Sequence, residues 1–220
     1  MVIYFRFFGI VFLCILILLL SLYFSKSSKI KRELRKLSKK SVSEFKSGEI
    51  GKVAGKLEFC VGKSLIAPLS GRKCAYYQVI VEKSIPSDNG GHWDTIIDDE
   101  HAVDFIINQG KDKVLIRVDD YKGYLVKDRN YSSSFLKDAN GKLKRYLKRF
   151  GQNSESILGF NKTIRYKEGV LEEGEMVAVK GTAYWEEKID NLNKIKIKKL
   201  LTLKGNPGKL VISDDPRTLN

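Results

Sequence analysis

The sequence predicts a mainly β domain of the α+β type, a sandwich or a partly open barrel with one amphipathic helix, preceded by an N-terminal transmembrane helix. Three observations predict this: a long apolar run at the amino terminus, many short alternating segments in the roughly 170 residues that follow, and one segment with helical periodicity. We divide the chain into a transmembrane helix (1–25), a basic juxtamembrane helix or linker (26–47), a β-rich domain (48–215) and a tail (216–220).

The apolar run extends from Ile3 to Phe24 and carries Arg6 as its only charge. A helix needs about 20 such residues to cross a bilayer. A cleaved signal peptide accounts for the run less well, because its exit would carry small residues where this chain has Tyr23 and Phe24. We therefore expect a single-pass membrane anchor.

The flanking charges predict the orientation of that anchor. Nine Lys or Arg residues lie between Lys26 and Lys46 against only two Glu, so the positive-inside bias places the following domain on the cytoplasmic side of the cell membrane. The odd number of cysteines, three, also suits a reducing compartment. The candidate membrane-surface cations of this segment are Lys29, Arg32, Lys36, Lys39 and Lys40.

The basic segment is also compatible with two further roles: a topology signal without specific lipid contact, and nucleic-acid binding. The formal net charge is +14, but residues 47–220 hold 30 basic and 24 acidic side chains, so most of the excess lies beside the anchor. That distribution favours the bilayer as partner and makes nucleic acid a weaker candidate.

Alternating apolar residues predict the strands of the domain. A Gly/Asn/Pro cluster at 205–208 separates two apolar segments, which predicts a closing hairpin. The alternating sets are Val53, Gly55, Leu57 and Phe59; Tyr77, Val79 and Val81; Val114, Ile116 and Val118; Val177, Val179, Gly181 and Ala183; and the hairpin segments Leu200–Leu203 and Leu210–Ile212.

The segment 142–150 has an apolar stripe on a basic helix, which either packs on the core or lies on a membrane surface. Alternating lysines in 194–198 predict a strand with one lysine face, which protects a sheet edge or faces anionic lipid.

The chain offers little for chemistry. Gly62-Lys63-Ser64 is not a phosphate-binding loop, because Leu57 stands where that loop needs a glycine. The possible metal ligands lack short paired spacing; they are Cys60, Cys74, His92 and His101. The acidic residues that could hold a hard cation indicate an exposed turn instead; they are Asp98, Asp99, Glu100 and Asp104. We expect no catalytic residue, metal, cofactor or nucleotide.

Two separated runs carry a family resemblance, Ser64–Lys83 and Arg165–Gly181, and Trp93 and the apolar segment 103–107 lie between them. In this order they resemble the GIDE domain, also called BAM ("beside a membrane"), over about residues 48–215. The resemblance implies structural roles for Pro68 and Gly71 in a turn, Cys74 and Tyr77 at a strand start, Glu168, and Gly169 and Gly174 in a loop around Val170 and Leu171.

Members of that family include membrane-anchored ubiquitin ligases with a zinc-binding RING and a second transmembrane helix. Here no cysteine follows Cys74 and no second apolar run occurs, so the resemblance implies a relative without a RING.

We therefore expect a non-catalytic interaction module, held against the cytoplasmic membrane face and binding a protein or lipid partner. The alternatives are an enzyme, either related to ubiquitin transferases by descent or an unrecognised hydrolase, and a nucleic-acid-binding protein.

Overall fold

The computed structural model of the protein describes residues 2–87, 91–127, 129–133, 141–152, 164–187, 199–206 and 208–220. In this part of the chain the protein is mainly β, as predicted. The helices are α1 (Val2–Phe24), α2 (Lys26–Arg35) and α3 (Gly141–Arg149), with 3-10 turns at Val42–Glu44 and Pro216–Thr218. The strands are β1 (Ile50–Phe59), β2 (Leu65–Ile66), β3 (Lys73–Cys74), β4 (Tyr76–Ile85), β5 (His92–Ala102), β6 (Phe105–Asn108), β7 (Lys113–Ile116), β8 (Tyr121–Tyr124), β9 (Arg129–Ser133), β10 (Ile164–Leu171), β11 (Met176–Glu187), β12 (Lys199–Lys204) and β13 (Leu210–Ser213).

Five strands close into a barrel in the order β1-β6-β7-β12-β11, with β11 returning to β1. All neighbours are antiparallel except β7 and β12. Numbered along the chain, the barrel strands follow the order 1-2-3-5-4-1, which is the connectivity of the oligonucleotide/oligosaccharide-binding (OB) barrel. The closed ring replaces the sandwich alternative of the sequence prediction.

Alternation along the strands fills the barrel as predicted, because successive side chains point to opposite faces. Val177, Val179 and Ala183 of β11 point inward together, and Ala178 between them faces α2 instead. Val114 and Ile116 of β7 also lie in the barrel core.

A second sheet, in the order β5-β4-β10-β9, comes from two excursions out of the barrel. Along the chain, β4 and β5 come between the first and second barrel strands, and β9 and β10 come between the third and fourth. One face of this sheet packs against Leu143, Tyr146 and Leu147 of α3. The helix predicted at 142–150 is therefore a core-packed helix, and its stripe covers a sheet rather than a membrane.

The predicted hairpin at 205–208 is wrong. β12 and β13 do not pair with each other, since both pair with the same edge of β11 at different heights, and β13 continues to β8. The predicted lysine strand at 194–198 lies outside the described residues.

Candidate functional site

Helix α1 presents apolar side chains on all sides of its described length. Every large apolar residue from Val11 to Phe24 is exposed, by 40% at Val11 and 69% at Phe12. Within the stretches that the structure describes, no helix alone is long and apolar enough to cross a membrane; Val11–Phe24 and Lys26–Arg35 together meet that criterion, with a 58° bend between them.

The bend between α1 and α2 is held by side chains. The Ser25 hydroxyl caps α2 by accepting the Ser28 N–H at 3.3 Å, and the Ser28 hydroxyl donates to the Leu22 carbonyl at 2.8 Å. Arg32 donates to the Tyr23 carbonyl at 2.6 Å and stacks 3.8 Å from the centre of the Tyr23 ring. The end of α1 is thus bonded to α2, and α2 sets its direction.

Helix α2 is in turn docked on the barrel. Its residues Ile30 and Leu34 are buried against Ala54, Ala178 and Val211. Helix α2 lies within the expected juxtamembrane helix or linker over 26–47, and its buried side chains pack it against the barrel.

Two partly buried ion pairs of Glu33 fix the same helix. Glu33 lies 2.6 Å from both Lys122 of β8 and Lys180 of β11. Burial alone would raise the pKa of Glu33, but the hydrogen bonds and charges of these lysines outweigh it and leave that pKa below its ordinary value.

Asp215 joins the C-terminal segment to α2. Its carboxylate accepts both Nε and Nη2 of Arg217 at 2.9 and 2.7 Å, and Lys31 of α2 lies 3.7 Å away. The hydrogen bonds from Arg217 hold the pKa of Asp215 below its usual range, although burial opposes them. Lys52 of β1, fully buried, donates to the carbonyls of Thr218 and Asn220.

A cleft of about 400 Å³ opens where these elements meet. Its apolar wall is formed by Leu19, Leu22 and Tyr23 of α1. Its basic wall is formed by Lys31, Arg32 and Arg35 of α2 together with Arg217. An apolar helix and a cluster of cations thus share one opening.

The five predicted membrane-surface cations separate into two groups. Lys29, Lys36 and Lys39 have exposed side chains. Arg32 is engaged by Tyr23, as described above, and Lys40 pairs with Glu49. Only Arg32 of the five lines the cleft, and sequence reasoning missed Lys31, Arg35 and Arg217 as its companions.

Among the predicted family-motif residues, Glu168 contacts the turn that contains Pro68 and Gly71. Its buried carboxylate accepts the N–H groups of Leu69 and Ser70, both at 3.0 Å, and so fixes the turn that contains Pro68 and ends at Gly71. Gly71 has φ +77°, which favours glycine.

Cys74 and Tyr77 belong to the core beneath α3, and the Cys74 thiol lies 3.8 Å from the Leu65 carbonyl oxygen. Gly174, at φ +87°, lies in the β10–β11 turn. Gly169 has a different role from the one expected: Val170 and Leu171 belong to β10, and a Cβ on Gly169 would lie 2.9 Å from Leu125 Cβ.

A polar network on the β4–β5 sheet was not predicted, since its members are scattered along the chain. Lys127 donates to Gln78 at 2.6 Å, and Gln78 donates to Asp98 at 3.2 Å. Burial lowers the pKa of Lys127 to about 8, although Asp98 and Asp214 oppose this. The network links the sheet to the chain that follows β8.

The possible metal ligands do not converge. Among the described residues, no group of three His, Cys, Asp or Glu side chains could hold a metal ion. Cys60 and Cys74 are buried free thiols, and His101 lies 3.1 Å from Asp99 on β5.

Comparison with models of known protein families, with curated proteins and with solved structures finds no match to this chain.

Proposed function

We propose that the protein is a membrane-anchored, non-catalytic interaction module, whose barrel is held against the cytoplasmic face of the cell membrane by α1. The observation that carries the proposal is the exposed apolar surface of α1 from Val11 to Phe24. Soluble proteins seldom expose a continuous apolar surface of this kind, and a lipid phase would cover it. The basic residues that follow, Lys26 to Lys46, favour the cytoplasmic side.

The bonded junction between α1 and α2 supports a fixed placement of the barrel. Because Arg32 ties the end of α1 to α2, and α2 is buried on the barrel through Ile30 and Leu34, the domain cannot swing freely below its anchor. A fixed orientation presents the same face of the barrel to any partner at the same membrane surface. Confinement to that surface raises the effective concentration of the partner.

A non-catalytic role is supported by the use of the ionisable groups. Two carboxylates with a lowered pKa, Glu33 and Asp215, each pair with a cation of another element of the fold. They act as structural ties, in keeping with a scaffold for binding.

Nucleic-acid binding is supported less well by the barrel surface. Barrels of this connectivity bind oligonucleotides on the face of their second and third strands, with exposed rings and cations. The outer residues here include Ile106 and Leu115, which are buried with Cys60 and Leu200. Asn108 and Lys113 lie on the same face, and both bond to Glu58, which offsets the lysine charge. These four residues supply neither an exposed ring nor an unpaired cation.

The relation to GIDE domains stays a proposal. Its support is spatial: the two runs that carry the resemblance contain β4 and β10, which pair over Tyr76–Lys83 and Ile164–Leu171. Residues quoted for the resemblance therefore share one structural unit.

Alkaline extraction of cell membranes tests the anchor. The full chain is expected to stay with the membrane pellet, and Leu13→Asp with Leu16→Asp, near the middle of α1, should release it, because each charge near the bilayer centre costs about 2.5–3.5 kcal/mol. Val61→Asp with Ile66→Asp makes the same chemical change at exposed sites of the domain, 65% and 62% exposed, and should leave the chain in the pellet. Release of the unaltered chain would refute the proposal. Protease cleavage of the domain from the outside of intact cells would refute its orientation.

A further inference from the structure

The cleft between α1, α2 and the C-terminal segment has a strong charge imbalance. Four cations line it, Lys31, Arg32, Arg35 and Arg217, and the Asp215 carboxylate contacts two of them, Lys31 and Arg217. The Asp215 side chain is only 2% exposed and both of its oxygens bond Arg217, so it is directed away from incoming solutes. The opening therefore attracts an anion.

Three of the four cations, Lys31, Arg32 and Arg217, are held in place before any ligand arrives. Arg32 is fixed by the Tyr23 carbonyl and ring. Lys31 is fixed by Asp215 and by the Tyr124 ring, whose centre lies 4.8 Å away. Arg217 is fixed by its two hydrogen bonds to Asp215. Arg217 keeps a 68% exposed side chain despite this pairing. Ordered cations lose little entropy on binding, which increases affinity.

The other wall decides the kind of anion. Leu19 and Leu22 of α1 border the same opening and are exposed by 57% and 58%. A free phosphate would bind the cations and leave the apolar wall exposed to water. An anionic amphiphile would contact both the basic wall and the apolar wall. Guanidinium groups match the oxygens of a phosphate group, to which they can donate two parallel hydrogen bonds.

We infer that this cleft binds the phosphate headgroup of one anionic phospholipid, whose acyl chains lie along Leu19 and Leu22. The inference rests on the proposed membrane anchoring of α1, since the acyl chains need a bilayer around the helix. It adds a defined lipid site to an anchor that otherwise requires only a hydrocarbon core.

Native mass spectrometry of the full chain in non-ionic detergent tests this site, with phosphatidylglycerol as the probe and phosphatidylcholine as its net-neutral counterpart. The unaltered chain should retain one phosphatidylglycerol in preference to phosphatidylcholine. Arg35→Gln should weaken that binding about 5-fold, and Arg35→Gln with Arg217→Gln about 10- to 30-fold, since a basic residue near an anionic headgroup contributes about 1 kcal/mol. The thermal midpoint of each variant shows that it is folded; Arg35, exposed on α2, provides the variant that leaves the Asp215 pairing intact.

The matched control is Lys36→Gln with Lys39→Gln, two exposed lysines of the same segment that do not line this cleft. It removes the same charge and should change retention by less than about twofold. Equal loss in the control would overturn the inference in favour of diffuse attraction. Retention of phosphatidylcholine as strongly as phosphatidylglycerol would also overturn it.

Inorganic phosphate separates the two sources of the anion. Millimolar phosphate could displace the lipid and raise the thermal midpoint as much as the lipid does. That result would assign the cleft to the free ion and overturn the lipid assignment. If no anionic lipid is retained while alkaline extraction leaves the chain in the pellet, the site is wrong and the anchor stands. If the chain is extracted, the anchor itself fails.

Discussion

The buried carboxylate of Glu168 accepts the backbone N–H of Leu69 at 3.0 Å, across a sequence separation of 99 residues. Its second oxygen accepts the N–H of Ser70 at the same distance. One side chain of β10 thereby fixes the turn between β2 and β3, far earlier in the chain.

Replacing Glu168 by Gln should lower the free energy of unfolding by about 1–3 kcal/mol, because the amide has one acceptor oxygen and would set its NH₂ group against a buried N–H. Urea unfolding of the full chain in detergent, followed by the fluorescence of Trp93 and Trp185, measures the change. Glu173→Gln is the control: Glu173 is exposed and accepts one N–H, from Phe59 at 3.2 Å, so a change below about 0.5 kcal/mol is expected. Equal losses in the two variants would show that burial of the Glu168 bonds is unimportant.

Gly174 and Gly169 should respond differently to the same substitutions. At Gly174, φ is +87° and nothing lies within 4 Å of an added Cβ, so alanine should cost about 1 kcal/mol through backbone strain and asparagine should cost less. At Gly169 an added Cβ would lie 2.9 Å from both Leu125 Cβ and the Val126 carbonyl oxygen, so both replacements should cost about 1–3 kcal/mol. The midpoints of urea unfolding compare them.

Gly141→Ala supplies the reference for these glycines. It starts α3, where an added Cβ would meet only Arg145 Nη1 at 3.8 Å, and alanine there should be neutral or stabilising. Recovery of Gly169 by asparagine would contradict the steric origin of its cost.

The ion pairs of Glu33 predict loss of stability in acid. Since the folded-state pKa lies below the ordinary value of 4.5, the contribution of the carboxylate is complete above that value and is lost as the pH falls through the lower folded-state pKa. Glu33→Gln should therefore reduce the thermal midpoint at pH 7, by the equivalent of about 1 kcal/mol, and the difference from the unaltered chain should shrink below pH 4.

Glu187→Gln, an exposed carboxylate at the end of β11, changes the same charge and should leave the thermal midpoint nearly unchanged across this range. A Glu33→Gln difference that stays constant down to pH 3 would assign the effect to packing rather than to ionisation.

The two buried thiols should resist alkylation. Burial, with a smaller effect of Asp104, raises the pKa of Cys60 to about 11, and burial with the charges of Glu168 and Glu172 raises the pKa of Cys74 to about 12. At pH 8 the thiolate fraction of Cys60 is then about 100-fold below that of a thiol with a pKa of 9.0. Peptide mapping after treatment with N-ethylmaleimide should find both modified only in urea.

An introduced thiol calibrates the alkylation rates. Ser64→Cys places a cysteine at an exposed loop position near both sites, and it should be modified within the time in which Cys60 and Cys74 stay intact. Modification of Cys60 at the rate of this control would contradict its burial.

What the sequence could reveal was local. Alternation identified the inward sets of β4, β7 and β11, because the period of two depends only on neighbours within one strand. The spacing of Ile30 and Leu34 is also typical of a helix with one buried face, and both are buried. These features needed no knowledge of the partner surface.

What could not be predicted depends on partners distant in sequence. The turn at 205–208 looks like a hairpin, yet its flanking strands each pair with β11, whose 12-residue length offers room for both. Arg217 reaches the cleft only because Asp215 and α2 bring the C-terminal segment there. A single sequence carries no local signal for either arrangement.

The excursions that build the second sheet have a consequence for dissection of the protein. β4 and β10 leave the barrel at different points of its circuit, yet they depend on each other for their pairing. Deleting one excursion would leave the strand of the other, β4 or β10, without its pairing partner. Neither half of the chain therefore contains all the strands of the second sheet. Assembly must wait for both distant stretches to meet, so we expect refolding on the slow time scale of topologically complex β proteins, milliseconds to seconds.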